Sequence, residues 1–186
     1  MTVGFAVCGS HCTFSQIFPA MEELAKHHKV IPIFSQAAAS TDTRFGSARE
    51  HLQRAEAICG CAPILTVAQA EPIGPKKLLD ALVIAPCTGN TLAKLAHSIA
   101  DSPVTMAAKS HLRNGRPILI GVSTNDALAG AAENIGKLMG RRHYYFIPFG
   151  QDDPIQKPTS MVADFSKLLS ALEAALGGRQ LQPILL

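Results

Sequence analysis

Residues 3–13 read Val3-Gly4-Phe5-Ala6-Val7-Cys8-Gly9-Ser10-His11-Cys12-Thr13. The apolar run over residues 3–8 stops at Gly9. Small polar residues then lead to Thr13 and Gln16, whose T-x-x-Q spacing predicts a capping box opening a helix to about Lys26. A strand buried on both faces, a tight turn and a helix make the unit from which parallel sheets are built. The unit recurs. Apolar runs at residues 30–34, 81–85, 118–122 and 144–147 end at Ser35, Pro86, Ser123 and Pro148. Helical patterns separate them. Strands alternating with helices predict an α/β chain with a parallel sheet flanked by helices, each crossover right-handed.

Working outward, Pro19 lies inside the first helical pattern, so that helix either kinks there or starts there. Ser47 and Glu50 form a second capping box, for a helix to about Ile58. Further helices are expected over residues 92–100, 104–113, 127–139 and 161–176. Asn114-Gly115 closes the second of these, and Gly177-Gly178 closes the last. Three prolines make residues 60–77 a surface excursion, and residues 148–160 read as a long loop. The chain is expected to form one domain over residues 1–178 with a tail at 179–186. That tail ends in Pro183-Ile184-Leu185-Leu186, so it should dock on the domain or on a partner subunit.

Ligands of an open parallel sheet bind beyond the carboxyl ends of its strands. The residues there are Gly9 to Thr13, Ser35, Pro86 to Thr91, Ser123 to Asp126 and Pro148 to Gly150. They are small, polar and mostly neutral. Such an edge suits a phosphate and a polar heterocycle better than a divalent metal. In the first turn, helix-start amides favour an anion, Ser10 and Thr13 add hydroxyls, and Gly9 lets the backbone approach closely. A plain capped turn accounts for that spacing equally well. There is no G-x-G-x-x-G, and Ser35 stands where a ribose-binding carboxylate would end the second strand. A dinucleotide is therefore disfavoured against a mononucleotide phosphate. In the third turn Pro86 is expected to end its strand sharply. Thr88, Asn90 and Thr91 flank Gly89, with Lys94 one helical turn later. Asn90 and Thr91 can read an amide-like ring edge such as that of an isoalloxazine.

Composition narrows the function classes. Of 186 residues, 47% are hydrophobic and 17% charged, which excludes a disordered chain. Seventeen Lys and Arg against fourteen Asp and Glu leave +3, and no basic run stands out. That argues against nucleic acid as a partner, as does the absence of Trp. No apolar stretch is long enough to span a membrane, and residues 1–11 lack the basic region of a signal peptide. Cys8, Cys12, Cys59, Cys61 and Cys87 are odd in number and match no common zinc spacing. Reduced thiols in a cytoplasm, with no metal, are the expectation.

The third turn also carries a resemblance. Ala85-Pro86-Cys87-Thr88-Gly89-Asn90-Thr91-Leu92-Ala93-Lys94-Leu95-Ala96, followed by Ile99-Ala100-Asp101-Ser102-Pro103, resembles the APxTxNTxxKxAxGxAD signature of the FMN-binding flavoprotein family. Pantothenoylcysteine decarboxylase and the lantibiotic-modifying decarboxylases belong to that family. Gly9-Ser10-His11-Cys12-Thr13, Thr41-Asp42-Thr43-Arg44-Phe45-Gly46, Glu71-Pro72-Ile73-Gly74-Pro75-Lys76-Lys77, Pro148-Phe149-Gly150-Gln151-Asp152-Asp153-Pro154 and Gln180-Leu181-Gln182-Pro183 narrow it further. They are similar to the branch that serves as one half of a two-component synthase, and the similarity spans essentially the whole chain.

The resemblance implies a three-layer, flavodoxin-like (Rossmann-like) fold and bound FMN. It implies the oxidation of a dihydro-precursor to pyridine-2,6-dicarboxylate in the cytoplasm of an endospore-forming bacterium. It also implies a homo-oligomer and a dehydrogenase-like partner protein that carries NADP or NAD. By position, Gly9, Ser10, Ser35 and Thr88 would hold the FMN phosphate and ribityl chain. Thr13 and Gly89 would complete that cradle. Asn90, Thr91, Ser123 and Asn125 would lie near the ring or the substrate. Where the decarboxylases carry PxMNxxM, this chain has Val122-Ser123-Thr124-Asn125-Asp126-Ala127-Leu128, and only the Asn survives. That argues against decarboxylation of a small acid. It leaves as the further alternative a non-catalytic partner with a vestigial nucleotide pocket.

A dicarboxylate substrate needs cations, and Arg is the natural bidentate partner. Arg44, in the polar loop beyond the second strand, is the expected carboxylate ligand. Lys76, Lys77, Lys109 and Arg113 are the other candidates. His11 is the expected acid/base or phosphate donor, and Asn125 its catalytic companion. Asp152-Asp153 could be paired carboxylates, or simply a turn before Pro154.

Overall fold

The computed structural model describes residues 1–186. β1 (Thr2–Val7) leads through a 3-10 turn (His11–Thr13) into α1 (Phe14–His27). Then come β2 (Lys29–Phe34), α2 (Gln36–Ser40), α3 (Ala48–Cys59), α4 (Val67–Ala70), β3 (Ala81–Cys87), α5 (Gly89–Ala96) and α6 (Pro103–Leu112). The chain continues with β4 (Ile118–Thr124), α7 (Ala132–Met139), β5 (Tyr144–Phe146), β6 (Phe149–Gln151), β7 (Met161–Ala163) and α8 (Leu168–Leu176).

Five strands pair in parallel in the order β2-β1-β3-β4-β5. That is the doubly wound, flavodoxin-like order, whose crossovers must each be a helical excursion. All seven residues of β3 are buried, as are five of six in β1. A strand covered on both faces can use apolar residues at every position, which is why these runs do not alternate. Phe5, Phe18, Phe34, Phe146 and Phe149 are the largest side chains fully enclosed between sheet and helices. Gly4 has no room for a side chain: a Cβ there would sit 2.6 Å from the Leu79 side chain.

Several elements differ from the sequence expectation. Thr13 makes no capping bond; its hydroxyl donates to the Ser10 carbonyl at 2.8 Å, because the 3-10 turn has already brought it to helical dihedrals. α1 runs through Pro19 rather than starting there, and the Ser15 turn whose carbonyl loses a partner faces solvent. The Ser47–Glu50 capping box forms as expected. Pro86 does not end its strand: β3 continues to Cys87, with its register against β4 shifted between Ile84 and Cys87.

The expected helix over residues 161–176 is a strand followed by a shorter helix. Met161 and Val162 pair antiparallel with Thr124 and Ser123, and Asp164 then caps a fresh 3-10 turn by accepting from Ser166. The expected loop over residues 148–160 contains β6, which pairs with β7. In the expected helix over residues 127–139 only Ala132–Met139 is helical. The earlier residues form turns tied by Leu128 N–H to the Thr159 carbonyl at 3.0 Å. Residues 60–77 run over the surface as expected, but dip into the core at one point. α4 and the following turn bury Ala70 and Ile73, and Gly74 sits so close to α6 that a Cβ would lie 2.5 Å from the Ser110 carbonyl oxygen.

The tail docks on the domain. Gln180 accepts from Phe146 N–H at 2.8 Å and returns a bond to the Phe146 carbonyl at 2.7 Å. Phe149 N–H then donates to Ile184, and Leu186 N–H to Phe149. No helix is long and apolar enough to cross a membrane.

His111, on α6, is fully buried. Its Nε2 lies 3.1 Å from the Pro117 carbonyl, while its Nδ1 has no partner. Burial pushes its pKa down from 6.5 to about 4. Between those values the unfolded chain binds a proton that the folded chain refuses, so stability falls as pH drops from about 6.5 toward about 4. Unfolding free energies from urea titrations at pH 7 and pH 4.5 should differ by a loss of about 2 kcal/mol from this residue. His111→Gln should flatten that part of the profile.

Candidate functional site

The carboxyl ends of β1, β3 and β4 open into a cavity of about 340 Å³. Its wall is built by Gly9, Ser10, His11 and Cys12 after β1, by Thr88 after β3, and by Ser123, Thr124 and Asn125 at the end of β4. Thr43 and Phe45 reach over from the loop beyond α2. No carboxylate lines it. No cluster of three His, Cys, Asp or Glu side chains anywhere in the chain is placed to hold a metal.

The wall is held by bonds across the sheet. Ser10 Oγ and Ser123 Oγ are 2.8 Å apart, linking the β1 turn to β4 over the top of β3. Thr88 caps α5 by accepting from Thr91 N–H, and the Thr91 hydroxyl donates to Cys8 Sγ at 3.3 Å. The backbone N–H groups of Gly9, His11 and Cys12 make no hydrogen bond, nor do those of Gly89 and Asn90. Two helix starts therefore aim unpaired donors toward one edge, an arrangement that favours an anion. A Cβ on Gly9 would press to 3.1 Å from Ala37 Cβ. A Cβ on Gly89 would fall 2.8 Å from Asp126 Oδ1 and 2.9 Å from Thr124 Oγ1. Both glycines are close-approach positions.

His11 stands between this cavity and a smaller one of about 210 Å³, to which His51 and Phe18 contribute. Its Nε2 is buried without a partner, and so is that of His51. Phe14 packs edge-on against His51, which stacks on Phe18. Burial, reinforced by the nearby His11, holds His51 below the usual imidazole range.

The structure thus gathers Gly9, Ser10, His11, Thr88, Ser123 and Asn125 on one wall. It does not bring the other expected residues there. Thr13 is buried behind the turn, and Thr91 behind α5. The Ser35 oxygen is engaged in capping α2, accepting from Ala38 N–H at 3.3 Å. The Asn90 side chain is exposed on the first turn of α5, beside Gly89. Arg44 lies just off the wall, its guanidinium 4.9 Å above the Phe45 ring. Lys94 is paired with Asp101. Asp152 pairs with Lys157, and Asp153 accepts from Gln156 N–H, so this pair serves its own turn. Sequence reasoning missed Thr43 and Phe45; Thr124 stood in the expected stretch after the fourth strand but was given no role. Phe45 alone left a signal, a large apolar residue in an otherwise polar loop.

This rim sits on a fold that similarity identifies independently. The chain belongs to the flavoprotein family, whose profile matches residues 1–164. It is 48% identical over 184 residues to the B subunit of dipicolinate synthase of Bacillus subtilis (strain 168), covering 98% of this chain and 92% of that protein. The crystal structure of the corresponding B subunit from Bacillus halodurans C superposes with a TM-score of 0.91 at 46% identity. It covers 100% of this chain and 95% of that one. Burkholderia xenovorans DmrB in complex with FMN shares the fold, with a TM-score of 0.68 at 18% identity over 95% of each chain.

All five cysteines are free. Burial pushes the Cys87 thiol well above the usual range, and burial also drives Cys59 up to about 12. Cys12 is exposed on the cavity wall. Iodoacetamide at pH 8 should therefore alkylate Cys12 first, and Cys8 and Cys87 only after denaturation. Peptide mass mapping over time checks the order.

Proposed function

We propose that this chain is the flavoprotein component of a dipicolinate synthase. It holds FMN at the rim and works with the dehydrogenase-like A subunit of that synthase, which carries NADP or NAD. Together they oxidise a dihydrodipicolinate-level precursor to dipicolinic acid during sporulation. The reading places the chain in the cytoplasm of the mother cell, as a homo-oligomer. The observation that carries it is the carboxylate-free rim lined by Gly9, His11 and Cys12, whose amides are unpaired, beside the Ser10–Ser123 hydroxyl pair. The relatives named for this synthase, and the FMN held by a protein of the same fold, support it.

The residues present fit the cofactor. The unpaired Gly9 amide, and the Ser10 and Thr88 hydroxyls that line the cavity, match a phosphate and ribityl chain. Gly89 and Asn90 carry further unpaired amides at the α5 start, outside the cavity lining and beside the Asp126 carboxylate. Thr13, Ser35 and Thr91 hold the turns that present these groups. Ser123 and Asn125 offer donors and acceptors to a ring edge or to the substrate.

Oxidation to the aromatic ring removes two hydrogens, one as a proton and one with its electron pair. One two-electron acceptor is needed: FMN, when bound, would supply it, and the nicotinamide on the dehydrogenase-like partner would take the same electron pair onward. His11 holds the proton at Nε2, the buried atom left without a protein partner. Asn125 positions the dicarboxylate through its side-chain amide. Arg44, carried beside the wall by Phe45, takes a carboxylate of that substrate.

FMN titrated into the purified chain should quench its own fluorescence in one saturable step and slow alkylation of Cys12. Product absorbance should appear only when the dehydrogenase-like partner and a nicotinamide cofactor are added. An unprotected Cys12 would remove FMN from the rim, and CO2 release by this chain alone would point to a decarboxylase instead. In the assembled enzyme, Arg44→Ala should raise KM for the dicarboxylate about tenfold with little change in kcat, the loss of one charge-assisted bond.

A further inference from the structure

A second cavity lies at the opposite edge of the sheet. It opens between the end of α5, the loop after it, the later half of α6 and Tyr144, whose partner in the ladder is Ile118 at the start of β4. Its volume is about 360 Å³, within the roughly 300–1,000 Å³ typical of small-molecule pockets. Leu95, Ile99 and Leu112 give it an apolar floor.

Its charges are of one sign. Lys109, Arg113 and Arg141 line it, and no carboxylate does. None of the three forms an ion pair within the chain. Arg141 is held in place: it donates to the Leu95 carbonyl at 3.1 Å and to the Ala96 carbonyl at 2.6 Å. Those carbonyls are the negative end of α5, so the guanidinium is anchored while its remaining N–H groups stay free. Tyr144 is 8% exposed, and its hydroxyl, on the cavity wall, has no protein partner. Burial pushes its phenol upward, which keeps it a donor. Three exposed like charges gathered at one cavity without a counterion, beside a phenol donor, favour an anion there.

We propose that this cavity binds a small organic carboxylate carried on an apolar, ring-sized body. Arg141, Lys109, Arg113 and the Tyr144 hydroxyl take the carboxylate, and Leu95, Ile99 and Leu112 pack against the body. The site is separate from the FMN rim and stands whether or not that reading holds.

Benzoate is the probe, titrated by calorimetry into the full-length protein. It should bind in one saturable step. Benzyl alcohol, which lacks the charge, and inorganic phosphate, which lacks the body, should each bind about tenfold or more weakly. Tyr144→Phe should weaken benzoate several-fold, and Lys109→Gln with Arg113→Gln about tenfold. Neither change removes a hydrogen bond that the fold uses. No saturable benzoate binding overturns the proposal, as does an unchanged affinity in the double variant or phosphate binding as tightly as benzoate. Loss of benzoate binding in Ser10→Ala would place the probe at the rim and overturn it equally.

Discussion

The burial of β1 and β3 on both faces constrains everything else in this molecule. A strand with no wet face has no position for a polar side chain along its length, so chemistry must collect where the strand stops. In this chain those stops coincide. β1 gives way to Gly9 and Ser10, β3 to Thr88 and Gly89, and β4 to Ser123–Asn125. The Ser10–Ser123 bond then closes the turn of one strand onto the end of another across the strand between them. The rim is thus a property of the sheet, and its loops are held at fixed separation by the hydrogen-bond ladder beneath.

The hairpin of β6 and β7 extends this logic. β7 pairs with Ser123 and Thr124 and with no other part of the parallel sheet, so it grips β4 at the rim. Thr159 reinforces the grip, its hydroxyl donating to the Asn125 carbonyl at 2.7 Å. Asn125 therefore has a pinned backbone and a free side chain.

The five parallel strands were legible because continuous apolar runs bounded by small polar residues have few other readings. The rim was legible as far as it follows from strand order: Gly9, Ser10, His11, Thr88 and Asn125 follow strand ends, and Ser123 is the penultimate residue of β4. What failed was non-local. Met161 to Ala163 fit a helical stripe with Phe165 and Leu168, and only pairing with β4 makes them a strand. The Thr13–Gln16 box was outcompeted by a 3-10 turn that no residue spacing announces. Thr43 and Phe45 enter the wall because a loop folds back over it, and a loop has no periodicity to read. Ser35, Asn90 and Thr91 were assigned by their place after strand ends, by donor chemistry and by resemblance, none of which tells which way a side chain faces.

Gln180 has a consequence for assembly. β5 is the last strand of the parallel sheet, and its outer edge would offer a template for another chain to extend. The Gln180 amide meets Phe146 through both its oxygen and its nitrogen, imitating one rung of a neighbouring strand without supplying a strand. With that rung filled and the tail laid along it, the border is sealed against fibre-like growth.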